Sequence, residues 1–125
     1  MKLWSRKWVG SKNPRKQRKY RYNAPLHIIR KFMSVRLSKD LKQKYGKRNL
    51  PVRKGDLVKV IVGEFKGRVA KVTRVSLVNH SVYVEGVVNV KRDGTKLTRP
   101  IDPSNLLITE LNMEDKYRKK ILERK

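Results

Sequence analysis

The stretch VKVIVGEFKGRVAKV, residues 58–72, decides how this chain is read. Two valine-rich runs flank GEFKG. In LVKVIVG (57–63), Val58, Val60 and Val62 recur every second residue, the period of a strand with one buried face. RVAKVTRV (68–75) resumes the alternation, and its apolar register slips between Val72 and Val75, which predicts a bulge. Between the runs the chain must turn sharply. Gly63 and Gly67 supply backbone angles that a Cβ makes costly. Lys66 and Arg68 then stand on the tip of a rigid hairpin, where little entropy is lost on docking to phosphates.

The strand period extends outward from this hairpin and begins at Leu50. NHS (79–81) reads as a turn before VYVEGVVNV (82–90). There Val82 and Val84 share a face, and Val88 and Val90 continue after a kink at Gly86. RDGT (92–95) carries the Asp-Gly pair of a type I′ hairpin, with KLTRPI (96–101) as its return strand. DPSN (102–105) is a further turn, and LLITEL (106–111) a last strand. Short strands at this spacing predict a small barrel.

Helical signals lie on both sides. NAPLHIIRKFM (23–33) has Asn23 as a cap, Pro25 in the first turn, and Leu26, Ile29 and Met33 on one face. SKDLKQKYG (38–46) has Ser38 as a cap, Asp40 in the first turn and Gly46 at the C-terminal end, with Leu37, Leu41 and Tyr45 in line. NMEDKYRKKILERK (112–125) reads as a helix capped by Asn112, with Met113, Tyr117 and Ile121 along one edge. The expected layout is a basic arm over 1–22, a short helical segment over 23–49, the barrel over 50–111 and a C-terminal helix over 112–125.

Charge sets the partner class. The 125 residues hold 34 Lys+Arg against 10 Asp+Glu, a net charge of +24. Self-repulsion of that size opposes compaction until a polyanion neutralises it. Nucleic acid is the first candidate and an anionic membrane surface the second. No acid precedes Asp40, and KNPRKQRKYR (12–21) cannot form a core, so the arm is expected to be disordered alone and to order on a partner. Trp4, Trp8, Tyr20 and Tyr22 interleave with these charges. Two roles fit them: stacking on exposed bases or sugars, or packing on the protein itself or a neighbour.

Several classes fall away. No run of about 18 apolar residues could span a membrane, and MKLWSRKWVG is too short and charged for the apolar part of a signal peptide. The chain has no cysteine, hence no disulfide framework or thiolate metal site, which fits a reducing compartment. His27 and His80 lie in different segments and make no zinc site. GEFKG lacks the spacing of a phosphate-binding P-loop, and the carboxylates are scattered. No catalytic constellation, metal or cofactor is expected.

RKGDLVKVIVGEFKGRVAKV (53–72) resembles a KOW motif, matched at Val58, Val60, Gly63, Lys66, Gly67 and Val72. It departs at Ala70, where the motif usually has another glycine. The flanks YNAPLHIIRKFMSVRLSKDLKQKYGKRNLPVRKGD (22–56) and VYVEGVVNVKRDGTKLTRPIDPSNLLITEL (82–111), and the tail DKYRKKILERK, resemble the archaeal and eukaryotic ribosomal large-subunit protein twenty-four family, called twenty-six in eukaryotes. The similarity runs from about Arg15 to the end, so nothing is carried over to Trp4 or Trp8. The short tail points to an archaeal rather than a eukaryotic member.

The resemblance implies a mostly β fold: an SH3-like β-barrel with short helices before it, a basic N-terminal extension and a C-terminal helix. It implies direct binding to large-subunit rRNA near its 5′ end, an early role in subunit assembly, and a place outside the subunit beside the polypeptide exit tunnel. Neighbouring ribosomal proteins are implied partners, and nascent-chain or targeting factors would lie within reach. Localisation would be the cytoplasmic ribosome, with no membrane insertion and no homo-oligomer. The residues put forward for RNA contact are Lys12, Arg15, Lys16, Arg18, Lys19, Arg21, Arg30, Lys31, Arg48, Arg53, Lys54, Lys66 and Arg68. Gly55, Gly63 and Gly67 are the structural glycines of the motif. Two other readings stay open: a KOW module of transcription elongation, and a DNA-compacting protein that prefers duplex DNA.

Overall fold

A computed structural model describes residues 4–7 and 10–124. Trp8, one of the four aromatic residues singled out in the arm, lies outside the described residues. Among the described residues, four α-helices and eight strands alternate in the order α1 (Pro14–Asn23), α2 (Leu26–Phe32), β1 (Ser34–Leu37), α3 (Lys39–Tyr45), β2 (Asn49–Pro51), β3 (Leu57–Val60), β4 (Val69–Ser76), β5 (Ser81–Val84), β6 (Val88–Val90), β7 (Lys96–Thr98), β8 (Leu106–Glu110) and α4 (Lys116–Glu123). The fold is mixed α and β rather than mostly β. Six strands form one sheet in the order β2-β1-β8-β3-β4-β5, and β6-β7 form a separate pair. The six-stranded sheet keeps two edges, β2 and β5, and is not closed by hydrogen bonds.

The GEFKG hairpin forms as the glycines require. Gly63 and Gly67 sit at φ +101° and +89°, and the Gly67 N–H donates to the Val60 carbonyl across the turn at 2.8 Å. Val58 and Val60 are buried, but Val62 is 57 % exposed, because β3 stops at Val60 and the turn carries Val62 away from the core. The register of β4 against β5 shifts between Val72 and Arg74, where the apolar slip predicts a bulge. The Asp-Gly hairpin is present with a different turn. Asp93 is not at positive φ, as type I′ demands; Gly94 alone is, at +86°. Lys91 N–H donates to the Thr95 carbonyl and Gly94 N–H to the Lys91 carbonyl, which makes a three-residue loop. Val88 is only half-buried and Val90 is exposed, since β6 pairs outside the main sheet; Val87 is the residue that enters the core.

Two helix starts differ from the sequence reading. Asn23 ends α1 instead of capping α2, and Pro25 takes the cap position of α2. Asn13, with its side chain accepting from the Arg15 N–H, is the cap that starts α1. At the other end Asp115 caps α4, three residues after Asn112, so the buried edge is Arg118 and Leu122 while Tyr117 faces solvent. Only α3 begins and ends as its residues dictate: Ser38 accepts from the Leu41 N–H and Gly46 closes it in left-handed geometry.

Ser34–Leu37 is a strand that lies antiparallel to β2 and parallel to β8. Leu37 is therefore a buried sheet residue, not the first member of a helical row. Met33, Val35 and Leu37 join Val58, Val60, Val82, Val84, Leu106 and Ile108 in one core cluster. The segment before residue 50 thus supplies part of the same core. Burial of this apolar surface is the main favourable term holding α2, the sheet and α4 together.

Candidate nucleic-acid interface

The basic residues divide among three places. Helix α1, PRKQRKYRYN, buries no residue and has no acid in its first turn. Arg15, Lys16, Arg18, Lys19 and Arg21 are exposed on it, and Lys12 is exposed just before it. Like charges three and four positions apart repel along a helix. What ties α1 to the body is aromatic. The Trp4 and Tyr20 rings lie 5.4 Å apart, Tyr20 and Phe32 6.2 Å, and Phe32 and His80 6.3 Å. Of the two roles open to the arm's aromatics, Trp4 and Tyr20 take internal packing, whereas Tyr22 is 86 % exposed.

The second place is an open groove of about 770 Å³ between α1 and the turn after β4. Arg18, Arg21 and Tyr22 form one side, His80 and Asp102 the other. His80 sits at φ +49°, the left-handed region that few side chains adopt. Burial lowers its pKa, Arg21 lowers it further, and Asp102 opposes both.

The third place is a groove of about 800 Å³ that α2 also lines. Arg30 from α2, Arg53 and Lys54 from the turn before β3, and Arg74 from β4 converge on it. Val52, Val75 and Leu77 make its floor, and Asn112, Glu114, Asp115 and Arg118 its far wall. Arg53 is half-buried and ion-paired with Asp115. Burial lowers the Arg53 pKa, as do Arg30 and Arg118, with Asp56 acting against them.

The remaining positions are scattered. Lys31 and Arg48 are exposed and line none of the grooves described above. Lys66 is exposed on the glycine hairpin, as expected of its tip, while Arg68 lies across Gly86, so close that a Cβ there would collide with its guanidinium. Gly55 has φ +89° and is packed under the Asn112 amide. Sequence reasoning passed over Arg74, which reads as an outward strand residue, and Lys91, Arg92 and Lys96, which are exposed around the β6–β7 hairpin. The Asp-Gly turn signal was the available clue to those three, since it marks a projecting loop.

Among the described residues, ion pairs join only Arg53 to Asp115, Arg99 to Glu64 and Arg118 to Asp56. Set against 34 Lys+Arg, that leaves a cationic surface almost without internal compensation. Fold and surface together define a small, basic, sheet-centred domain with an unneutralised face. Comparison with known proteins places it further. The family that unites eukaryotic ribosomal proteins L26 with their archaeal counterparts, numbered twenty-four, matches residues 11–125. A relative from Methanosphaera stadtmanae, named large ribosomal subunit protein uL24, is 50 % identical over 115 residues, covering 92 % of this chain and 98 % of the relative. The chain belongs to this ribosomal-protein family, and its location is the cytoplasmic ribosome.

Proposed function

We propose that this protein is a structural component of the large ribosomal subunit that binds large-subunit rRNA directly, near its 5′ end, and acts early in assembly. The observation that carries the reading is the unpaired cationic surface, joined to membership of a ribosomal family. Phosphates supply the missing negative charge, and each neutralised phosphate releases counterion. No reaction is needed; the work is binding energy. The contact residues are Lys12, the cations of α1, Arg30, Lys31, Arg48, Arg53, Lys54, Lys66 and Arg68. A position beside the polypeptide exit tunnel, next to other ribosomal proteins and within reach of nascent-chain or targeting factors, belongs to the same proposal.

The scaffold of this function is read as an SH3-like KOW barrel. Three features support it: β4 pairs with both β3 and β5, β8 returns through a short 3₁₀ turn at Pro103–Asn105 to pair with β3, and Val82 bridges to Ile101 at the open side. The four-part layout of arm, helical segment, barrel and terminal helix belongs to the same proposal. Footprinting tests the function. Purified protein added to deproteinised large-subunit rRNA should protect a discrete set of nucleotides near the 5′ end, and the native protein should co-sediment with large subunits in high-salt sucrose. Diffuse protection that unrelated duplex DNA competes away equally well would instead mark a DNA-compacting protein.

A further inference from the structure

Phosphate binding alone does not explain the groove beneath Arg30 and Arg74. A surface that tracks a phosphate backbone needs exposed cations; it has no use for an apolar hollow. Here the cations stand around a floor made by Val52, Val75 and Leu77. The volume, about 800 Å³, is that of ligand clefts, which run from about 300 to 1,000 Å³. Its charge is unbalanced. Asp115 is ion-paired with Arg53, which leaves Glu114 as the one other carboxylate lining a groove that Arg30, Lys54 and Arg74 also line. Arg30 and Lys54 have no ion-pair partner among the described residues. Arg118 adds a second observation. It is 2 % exposed and lines the far wall, and its Nη atoms donate to Asp56, Asn112 and Pro51. Its Nε is buried and has no acceptor among the described residues.

We infer that this groove takes a single unpaired nucleotide of RNA, with the base on the apolar floor and its phosphate between Arg30, Lys54 and Arg74. The inference rests on the RNA-binding reading and deepens it. A nucleotide of an RNA strand is the ligand class that joins a flat apolar face to a monoanionic phosphodiester, which is the pairing the groove offers. Paired bases cannot reach the floor, because in A-form RNA they are stacked inside the helix; only a bulged or looped-out base exposes its faces. The wall adds hydrogen-bond chemistry toward the base edge. The Glu114 carboxylate accepts from an exocyclic amino group. An acidic peptide would satisfy the cations and leave the valine and leucine floor uncovered.

The test uses the full chain with isotopically labelled methyl groups and two probes: a short blunt RNA duplex, and the same duplex carrying one bulged adenosine. The bulged duplex should shift the methyl signals of Val52, Val75 and Leu77 and bind more tightly; the blunt duplex should leave those signals in place. Replacing Val75→Ala and Leu77→Ala together should reduce the preference for the bulge by roughly ten-fold, the value of about two buried methylenes, without changing affinity for the blunt duplex. Equal binding of both duplexes with silent floor methyls overturns this inference and leaves the RNA-binding reading standing. Binding of neither overturns both. Floor shifts produced by polyglutamate and by neither duplex also overturn it, in favour of an acidic protein partner. The wild-type methyl shifts decide the matter even if the double variant fails to fold.

Discussion

Arg118 and Asp56, 62 positions apart in the chain, form a two-pronged ion pair with Nη1 on Oδ1 at 2.5 Å and Nη2 on Oδ2 at 2.7 Å. Both side chains are buried, at 2 % and 0 % exposure. Asp56 also accepts from the Arg53 and Asn112 backbone N–H groups at 2.9 Å each. One carboxylate thus holds the turn before β3, the chain leaving β8 and helix α4 in fixed relation. That relation shapes the far wall of the groove beneath Arg30.

Breaking this pair from one side should be severe. Asp56→Asn or Arg118→Met leaves a buried charge uncompensated, a loss of about 3–5 kcal/mol. Replacing both at once should recover a large part of it. Denaturant midpoints of the two single variants and the double variant measure the coupling. Additive losses would show that the pair does not act as a unit.

At the glycine hairpin the penalty is conformational. Gly67 has φ +89° and nothing within 4 Å of the position a Cβ would take, so space is not the obstacle. Gly67→Val should still lose about 1–3 kcal/mol, because a β-branched residue disfavours that angle. Gly55→Ala should lose more than Gly67→Ala, since at the same φ its Cβ would also press on the Asn112 amide nitrogen. Thermal melts of the three variants rank them.

Through His80 the stability of the fold should be sensitive to acid. Its folded-state pKa lies below the ordinary histidine value of 6.5, through burial first and Arg21 second, against Asp102. As pH falls through about 6.5 the unfolded chain takes up the proton first, so stability is present above that value and is lost through the lower folded pKa. Between about pH 7 and pH 5 the melting temperature should drop. His80→Asn keeps a residue that tolerates the left-handed backbone and should remove this component; an unchanged pH profile in the variant would assign the drop to other groups.

Deleting residues 1–21 should weaken binding to an rRNA fragment and flatten its salt dependence. If about four to six of Lys12, Arg15, Lys16, Arg18, Lys19 and Arg21 meet phosphates, the log–log slope falls by roughly the same number. Discrimination against unrelated RNA should survive, because phosphate contacts carry little sequence information. Titrations at several salt concentrations read the slope directly; an unchanged slope would make the arm a solvated tail.

Amide exchange in the free protein should be slowest in the six-stranded sheet, β1 included, and fast in α1, which buries no residue. Equal protection across both regions would mean that the Tyr20–Phe32 contact holds the helix as firmly as the sheet holds its strands.

Features set by neighbours in the chain were legible without coordinates. Gly63 and Gly67 announce a turn because no other residue accepts those angles cheaply. Ser38 and Gly46 delimit α3 because a side-chain oxygen and a missing Cβ satisfy helix ends locally. The bulge after Val72 shows as a slip in an alternating pattern. The cationic surface is visible in composition, since charge without acids can only face outward or meet an anion. Tertiary structure alone decided the rest. Ser34–Leu37 is too short to declare itself a strand; it becomes one by pairing with β2 on one side and β8 on the other. The groove gathers Arg30, Arg53, Lys54 and Arg74 from three elements that no periodicity connects. Arg118 reads as one more solvent-facing cation of a basic helix, and it is buried only because Asp56, far away in sequence, supplies the one partner that offsets its desolvation.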